Sequence, residues 1–346
     1  MQLTLLIPDL ILPSSPRVLT DVYGELNLPS LEYMLGRMTH LPLPAVSLET
    51  WLCDVFGVAA DPDLPMGALS LYADHGKPGE AYWLRADPVH LEPERDQLVL
   101  IDGEQLAITR AEADQLVAAL NEHFSVTGES FHAFDPHRWY VRMSKPLEII
   151  TQPLPAVAGR SIKDHMATGY HASKLHQFMT EAQMLLHSHP VNQARETQGQ
   201  PTINSIWPWG AGRLPAVSER PFSHIWSSNT VAQGLARASR SIYSALPAHA
   251  TAVIQEDSGS AHSLVVLDML RSPAAYANYA GWQKTMRGLE EKWMRPLAHA
   301  YRKGQIDKLT LHAMNGEQHL QFTLERSSRW QVWRRPSPLA RYAITA

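Results

Sequence analysis

The sequence predicts an α/β protein in which an open sheet, covered by helices, is interrupted by a smaller inserted α+β domain. Three observations point there. Two continuous apolar runs of strand length, residues 3–7 and 264–267, are each followed by a carboxylate, Asp9 and Asp268, as buried strands are where they reach a sheet edge. Amphipathic helical periodicities alternate with short apolar runs along much of the chain. Residues 81–145 differ in texture, with hairpin-like strand pairs about one helix. The expected division is a discontinuous main domain of residues 1–80 and 146–346, with 81–145 as the insert.

Each element follows from local pattern. After the first strand, the spacing of Leu28, Leu31, Met34, Leu35 and Met38 predicts a helix whose first turn takes Pro29, and a short helix follows over 51–57. Residues 58–80, rich in Pro, Gly and Asp, read as a connector. In the insert, strands are expected at 82–85, 97–101 and 106–108, the last two joined by the Asp102-Gly103 turn. Thr109 and Glu112 form a capping box ahead of a helix with one apolar face, Ala113, Leu116, Val117, Leu120 and Phe124. Strands at 131–134 and 139–143 flank the Asp135-Pro136-His137 turn, and the prolines of 146–159 mark the return linker.

Helix and strand then alternate again. Leu175, Phe178, Met179, Ala182, Leu185 and Leu186 make an amphipathic helix halted before Pro190, and a strand is expected at 203–207. Asn229 caps a helix running to Arg240. A long helix over 273–301, bent or broken near Pro296, precedes strands at 309–312 and 320–324 about the Asn315-Gly316 turn. The tail Trp330-Gln331-Val332-Trp333-Arg334-Arg335-Pro336 reads as an edge strand, or as an exposed Trp-Arg patch for a partner protein.

Composition narrows the function classes. A chain of 346 residues with 45% hydrophobic content can bury a large core. The net charge of −4, with scattered Lys and Arg, gives neither nucleic acid nor a membrane surface an electrostatic footprint, so small molecules or proteins are the expected partners. The N-terminal apolar run is cut by Pro8 and Asp9 and has no positive flank, which fits neither a signal peptide nor a membrane span. The single cysteine, Cys53, agrees with a reducing cytoplasm, and its apolar neighbours favour a buried inert thiol.

The most informative stretch is 203–215, Ile-Asn-Ser-Ile-Trp-Pro-Trp-Gly-Ala-Gly-Arg-Leu-Pro. One reading is a built site, in which Asn204 and Arg213 offer donors to an oxyanion, Gly210 and Gly212 let backbone amides approach a ligand, and Trp207 and Trp209 wall it. The other is a packed turn whose indoles fill core and whose glycines adopt positive φ.

This stretch resembles the Asn-x-x-Trp-x-Trp-Gly-x-Gly segment of archaeal-type cofactor-independent phosphoglycerate mutases and their proteobacterial relatives, the RpfE-type regulatory proteins. The resemblance follows the element order. Leu28-Pro29-Ser30-Leu31-Glu32 is similar to the Thr-Pro-Asn-Leu-Asp helix start of the alkaline-phosphatase superfamily, to which those mutases belong. Trp83-Leu84-Arg85-Ala86-Asp87-Pro88 stands where the mutases have Phe-Arg-Cys-Asn, and residues 108–113 match their helix opening. His137-Arg138-Trp139 matches their Tyr-Arg-His, and the run from His187 to Gly212 resembles the mutases' approach to the Trp-Gly motif. The resemblance implies an alkaline-phosphatase-like sheet and a phosphorylated-metabolite site drawn from Arg85, Asp87, Arg138, Asn204, Gly210, Gly212 and Arg213, between the insert and the main sheet. Without it, each arginine reads as an ion pair or a stacking partner of nearby aromatics.

The same resemblance implies two divalent ions held by Asp and His residues, and a phosphoryl-carrying Ser. Asp9 and Asp268 match metal aspartates, and Ser47 lies close to the nucleophile position, although residues 44–49 lack the family's Ser-Asp pair. Further ligands are missing. No histidine follows Asp268 between 269 and 281, His312-Ala313-Met314-Asn315 replaces an Asp-His pair, and His319 reads either as a surviving terminal ligand or, as is commoner on an alternating strand after a tight turn, as an exposed polar residue. Asp74-His75-Gly76 imitates a metal motif in the wrong place and reads as a turn; His187-x-His189 reads as an interaction with helix-terminal carbonyls. A regulatory or binding protein that needs no cofactor is the expectation. The alternative is an active mutase or phosphatase using Mn or Zn.

Overall fold

The apolar run of residues 2–8 forms the central parallel strand of one sheet because every side chain after Gln2 is buried, leaving no solvent face. The computed structural model describes residues 1–12, 18–74, 76–256, 262–331 and 333–343. They fall into two compact units, Met1–Phe56 with Val217–Ala346, and Gly57–Ala216. The second unit is thus wider than the insert expected from sequence, taking in residues 57–80 and 146–216, because its sheet is completed by a strand from the Trp-Gly segment.

The first part of the chain gives β1 (Gln2–Pro8), α1 (Pro29–Leu35), β2 (Thr39–Leu43) and α2 (Leu48–Val55). Pro29 lies in the first turn of α1, as expected. Two backbone donors there, Ser30 N and Leu31 N, are taken by Glu290 at 2.8 and 3.0 Å.

The second unit contains α3 (Met66–Ala73), β3 (Tyr82–Glu94), β4 (Gln97–Asp102), α4 (Arg110–Phe124), β5 (Ser130–Asp135), β6 (Arg138–Met143), α5 (Leu154–Val157), α6 (Ala172–His187), α7 (Pro190–Thr197) and β7 (Ser205–Gly212). The Thr109–Glu112 capping box forms as expected. Other expectations are corrected. The connector 58–80 holds α3, apolar nearly all round and therefore without a stripe to read. Residues 103–106 make a 3-10 turn rather than leading into a strand. The strand expected at 203–207 runs over 205–212, because antiparallel pairing with β3 carries it through Pro208 and Gly210. Leu84, Ala86, Trp139 and Val141 pack with α4 and α6 residues in one apolar cluster; Trp83 and Tyr140 pack with Ala68 and Leu71 of α3 in another.

The chain closes with β8 (His224–Trp226), α8 (Thr230–Ser239), β9 (Ile242–Ser244), α9 (Ala250–Glu256), β10 (Ser263–Val266), α10 (Arg271–Ala275), α11 (Tyr279–Leu289), α12 (Arg295–Arg302), β11 (Lys308–Met314), β12 (His319–Glu325) and α13 (Ala340–Ala343). The long helix expected at 273–301 is interrupted at Ala277, whose φ is 48°, and by a wide π-turn at Glu290–Met294 ahead of Pro296. Residues 326–330 form a 3-10 turn, and no strand occurs in the 330–336 tail among the described residues; Val332 of that tail lies outside them. Trp330 and Trp333 are exposed.

The sheet of the first unit runs β2-β12-β11-β1-β10-β8-β9. Its five strands from β11 to β9 are parallel; β12 pairs antiparallel with β11, and β2 pairs antiparallel with β12 at the edge. Leu3, Leu5, Ile7, Val265, Leu267, Leu309 and Leu311 share a core with Leu31, Met34, Trp282, Met286, Leu297 and Tyr301 from helices. Among the described residues, no helix is long and apolar enough to cross a membrane.

Candidate functional site

In the first unit the two strand-end acids follow neighbouring strands, as the sequence leads one to expect. β1 and β10 are parallel neighbours in the register Leu6↔Val266, and Leu267 N donates to Leu6 O at 2.8 Å. Asp9 and Asp268 therefore leave adjacent strands at one sheet edge, the position where open α/β sheets place ligands. Asp9 takes a left-handed backbone, φ 57°; its N–H donates to Met314 O at 2.7 Å and its carbonyl accepts from Trp282 Nε1 at 2.8 Å.

Ser47 is the N-cap of α2: its Oγ accepts from Thr50 N at 3.1 Å and donates to Thr50 Oγ1 at 2.9 Å. Two residues on, the buried Glu49 holds Arg271 through both carboxylate oxygens, at 2.6 and 3.3 Å. Burial opposes the Arg271 charge, but Glu49, Asp268 and Asp9 outweigh it and hold the guanidinium protonated. Burial pushes the Asp268 carboxyl up, against the pull of Arg271 and of a hydrogen bond from Asn229.

These residues do not fit a two-ion centre. A guanidinium stands among the carboxylates, and no group of three or more His, Cys, Asp or Glu that could hold a metal ion occurs among the described residues. His312 and His319, far from being spare, bond each other, Nδ1 to Nε2 at 2.9 Å. His319 is buried, which corrects the exposed reading, because β12 lies between β11 and β2 instead of at an edge. Burial and the neighbouring His319 push the His312 pKa down to about 3.

In the second unit Arg85 and Asp87 share a face of β3, two residues apart. Asp87, wholly buried, accepts from Arg85 Nε and Nη2 at 2.9 and 2.7 Å, from Trp209 Nε1 at 2.8 Å and from Trp139 N at 3.3 Å. Arg138 donates to Asp74 at 2.9 and 3.2 Å and lies 3.5 Å from Asp135; Tyr140 Oη donates to Asp74 at 2.7 Å. The Arg85 guanidinium lies 5.3 Å from the Tyr140 ring and 5.2 Å from that of Trp209. Two arginines and three carboxylates thus form one network, and each arginine already has an acidic partner. Asp74, read from sequence as a turn, is its hub; His75 beside it lies outside the described residues.

The Trp-Gly stretch joins this network as a strand, with Arg85 opposite Trp209 and Asp87 opposite Trp207. It therefore does not face Arg85 across a cleft. The Gly210 N–H donates to Thr151 Oγ1 at 2.7 Å and the Ala211 N–H to Asp63 at 3.1 Å, so these amides serve the fold. The glycines admit α3: a Cβ on Gly210, whose φ is 68°, would lie 2.8 Å from Gly67 N, and one on Gly212 would lie 2.6 Å from Pro65 Cβ. Asn204 exchanges hydrogen bonds with the Leu91 backbone, and Arg213 is exposed. His189 caps α7 by accepting from Val191 N at 3.2 Å, instead of binding helix-terminal carbonyls. Cys53 is buried, as expected.

Comparison with known proteins agrees with the second unit. Residues 74–192 match the family model of 2,3-bisphosphoglycerate-independent phosphoglycerate mutase. A probable mutase of that name from Geobacter sulfurreducens is 30% identical over 158 residues, covering 44% of this chain and 38% of the relative. A second, from Methanothermobacter thermautotrophicus, is 29% identical over 126 residues, covering 36% of this chain and 31% of the relative. The chain thus spans well under half the length of these curated relatives. The solved structure of the PH0037 protein from Pyrococcus horikoshii superimposes with a TM-score of 0.57 at 14% identity, covering 94% of this chain and 87% of that one, a likeness of fold. The chain is a phosphoglycerate-mutase-related protein with a mixed α/β fold.

Proposed function

We propose that this protein binds a phosphorylated small molecule in a regulatory role, as the RpfE-type resemblance implies, without turning it over. One observation carries the reading: the segment similar to the mutases, 74–192, contains Arg85, Asp87 and Arg138, whereas Asp9, Ser47 and Asp268 lie outside it. Phosphoryl transfer asks for a free nucleophile, and the Ser47 hydroxyl is engaged in capping α2. Arg138 is the more accessible arginine, its side chain 34% exposed, and a phosphate can compete for its planar fork with Asp74 and Asp135.

Titration of the protein with 3-phosphoglycerate tests the reading. Binding is expected, and Arg138→Ala should weaken it by about 1.5–3 kcal/mol, the worth of a hydrogen bond to a charged group. Conversion of 3- to 2-phosphoglycerate with added manganese should run no faster than in a metal-free control. Manganese-dependent turnover that Ser47→Ala abolishes would establish the alternative, an active mutase or phosphatase.

A further inference from the structure

We propose that Arg271, gripped by Glu49, is a tethered cation standing in the place of a bound metal ion, so that the strand-end acids Asp9 and Asp268 admit a divalent cation only once the guanidinium is removed. The inference holds whether or not the arginine network of the other unit binds a phosphorylated ligand.

The acids come from three separate elements. Asp9 and Asp268 leave neighbouring parallel strands, and Glu49 reaches in from the first turn of α2. Arg271 opens α10, its backbone N–H donating to the Asp268 carbonyl at 3.1 Å, so the turn after β10 fixes the side chain's origin three residues from that acid. Glu49 is 1% exposed and the Arg271 side chain 16%. Such a pair repays its desolvation only with close, saturated contacts, which the two-pronged Glu49 grip supplies. Asp268 and Asp9, leaving neighbouring strand ends, help to hold the same guanidinium protonated. A guanidinium spreads one charge over a planar fork and has no open coordination position, so it neutralises the acids without activating water or a phosphoryl oxygen.

The test uses the full chain and manganese alone as the probe. Wild-type protein should show no calorimetric Mn2+ binding that depends on Asp268, and neither Mn2+ nor EDTA should move its Tm. Arg271→Ala should bind one Mn2+ about ten-fold or more tightly than wild type, and adding Asp268→Asn should abolish the gain. Should Arg271→Ala not fold, the charge-balanced Arg271→Ala/Glu49→Gln pair leaves Asp9 and Asp268 in place and should show the same Asp268-dependent gain. Wild-type Mn2+ binding that Asp268→Asn abolishes overturns the proposal, as does the absence of any gain in the folded variant.

Discussion

Replacing Asp87 by Ala puts the arginine network to its sharpest test. The carboxylate is wholly buried and takes four donors, two from Arg85, one from the Trp209 indole and one from the Trp139 amide. Removing it strands a buried guanidinium, and breaking a buried ion pair by deleting one partner costs about 3–5 kcal/mol. The chain has two compact units, so a single global unfolding curve can mix their transitions. Amide hydrogen exchange of β3 and β7 isolates the effect. At about 1.4 kcal/mol per decade, exchange limited by opening of that sheet should quicken by about two to three and a half orders of magnitude. Arg85→Met should restore much of the loss when added to Asp87→Ala, since the uncompensated charge is then gone. Acceleration of less than ten-fold, or no recovery in the double variant, would refute the account of Asp87 as the counter-ion that keeps Arg85 in the sheet.

Two further outcomes follow from the geometry. His312 stays neutral in the folded state down to about pH 3 but takes a proton near 6.5 when unfolded, so its contribution to stability is present above pH 6.5 and is lost as the pH falls. Relative to His312→Asn, the wild type should lose about 2 kcal/mol between pH 6.5 and 4.5; equal pH dependence in chemical denaturation of the two proteins would contradict the burial argument. Gly212→Ala should destabilise the second unit by about 1–3 kcal/mol through overpacking against Pro65, read as faster amide exchange in α3, and unchanged exchange would mean that the α3 contact yields freely.

How far the sequence shows all this depends on how local each cause is. The apolar runs before Asp9 and Asp268, the Thr109–Glu112 box and the Asn229 cap act within a few residues, and each appears where its pattern lies. β2 was not legible because Thr-His-Leu-Pro-Leu lies at an exposed edge and shows no alternation of burial. The start of β7 was legible, but its continuation through Pro208, Gly210 and Gly212 was hidden, because Pro and Gly ordinarily argue against a strand and are overridden here by pairing with β3. In the first unit, the placement of Asp9 and Asp268 at the ends of neighbouring strands could be read because both follow apolar runs. The partners that decide their chemistry could not: Glu49 and Arg271 are 222 residues apart, and Asp74 and Arg138 are 64 apart. An arginine three residues after a strand-end aspartate was the one available signal.

The seat of α3 bears on the order in which the second unit can assemble. The helix rests on backbone: a Cβ on Gly67 would lie 2.8 Å from Leu84 and Arg85 main-chain atoms, and Gly210 and Gly212 of β7 receive Met66 and Pro65. That seat is made by β3 and β7 together, strands whose paired residues Ala86 and Pro208 are separated by more than a hundred positions. Closing so long a loop is slow compared with forming a helical turn. A helix next to β3 in the chain thus has only part of its seat until β7 has arrived. Asp74, carried at its end, meets Arg138 and Tyr140 of β6, whereas the Trp209 indole reaches Asp87 only with β7, so the network is completed as the unit closes.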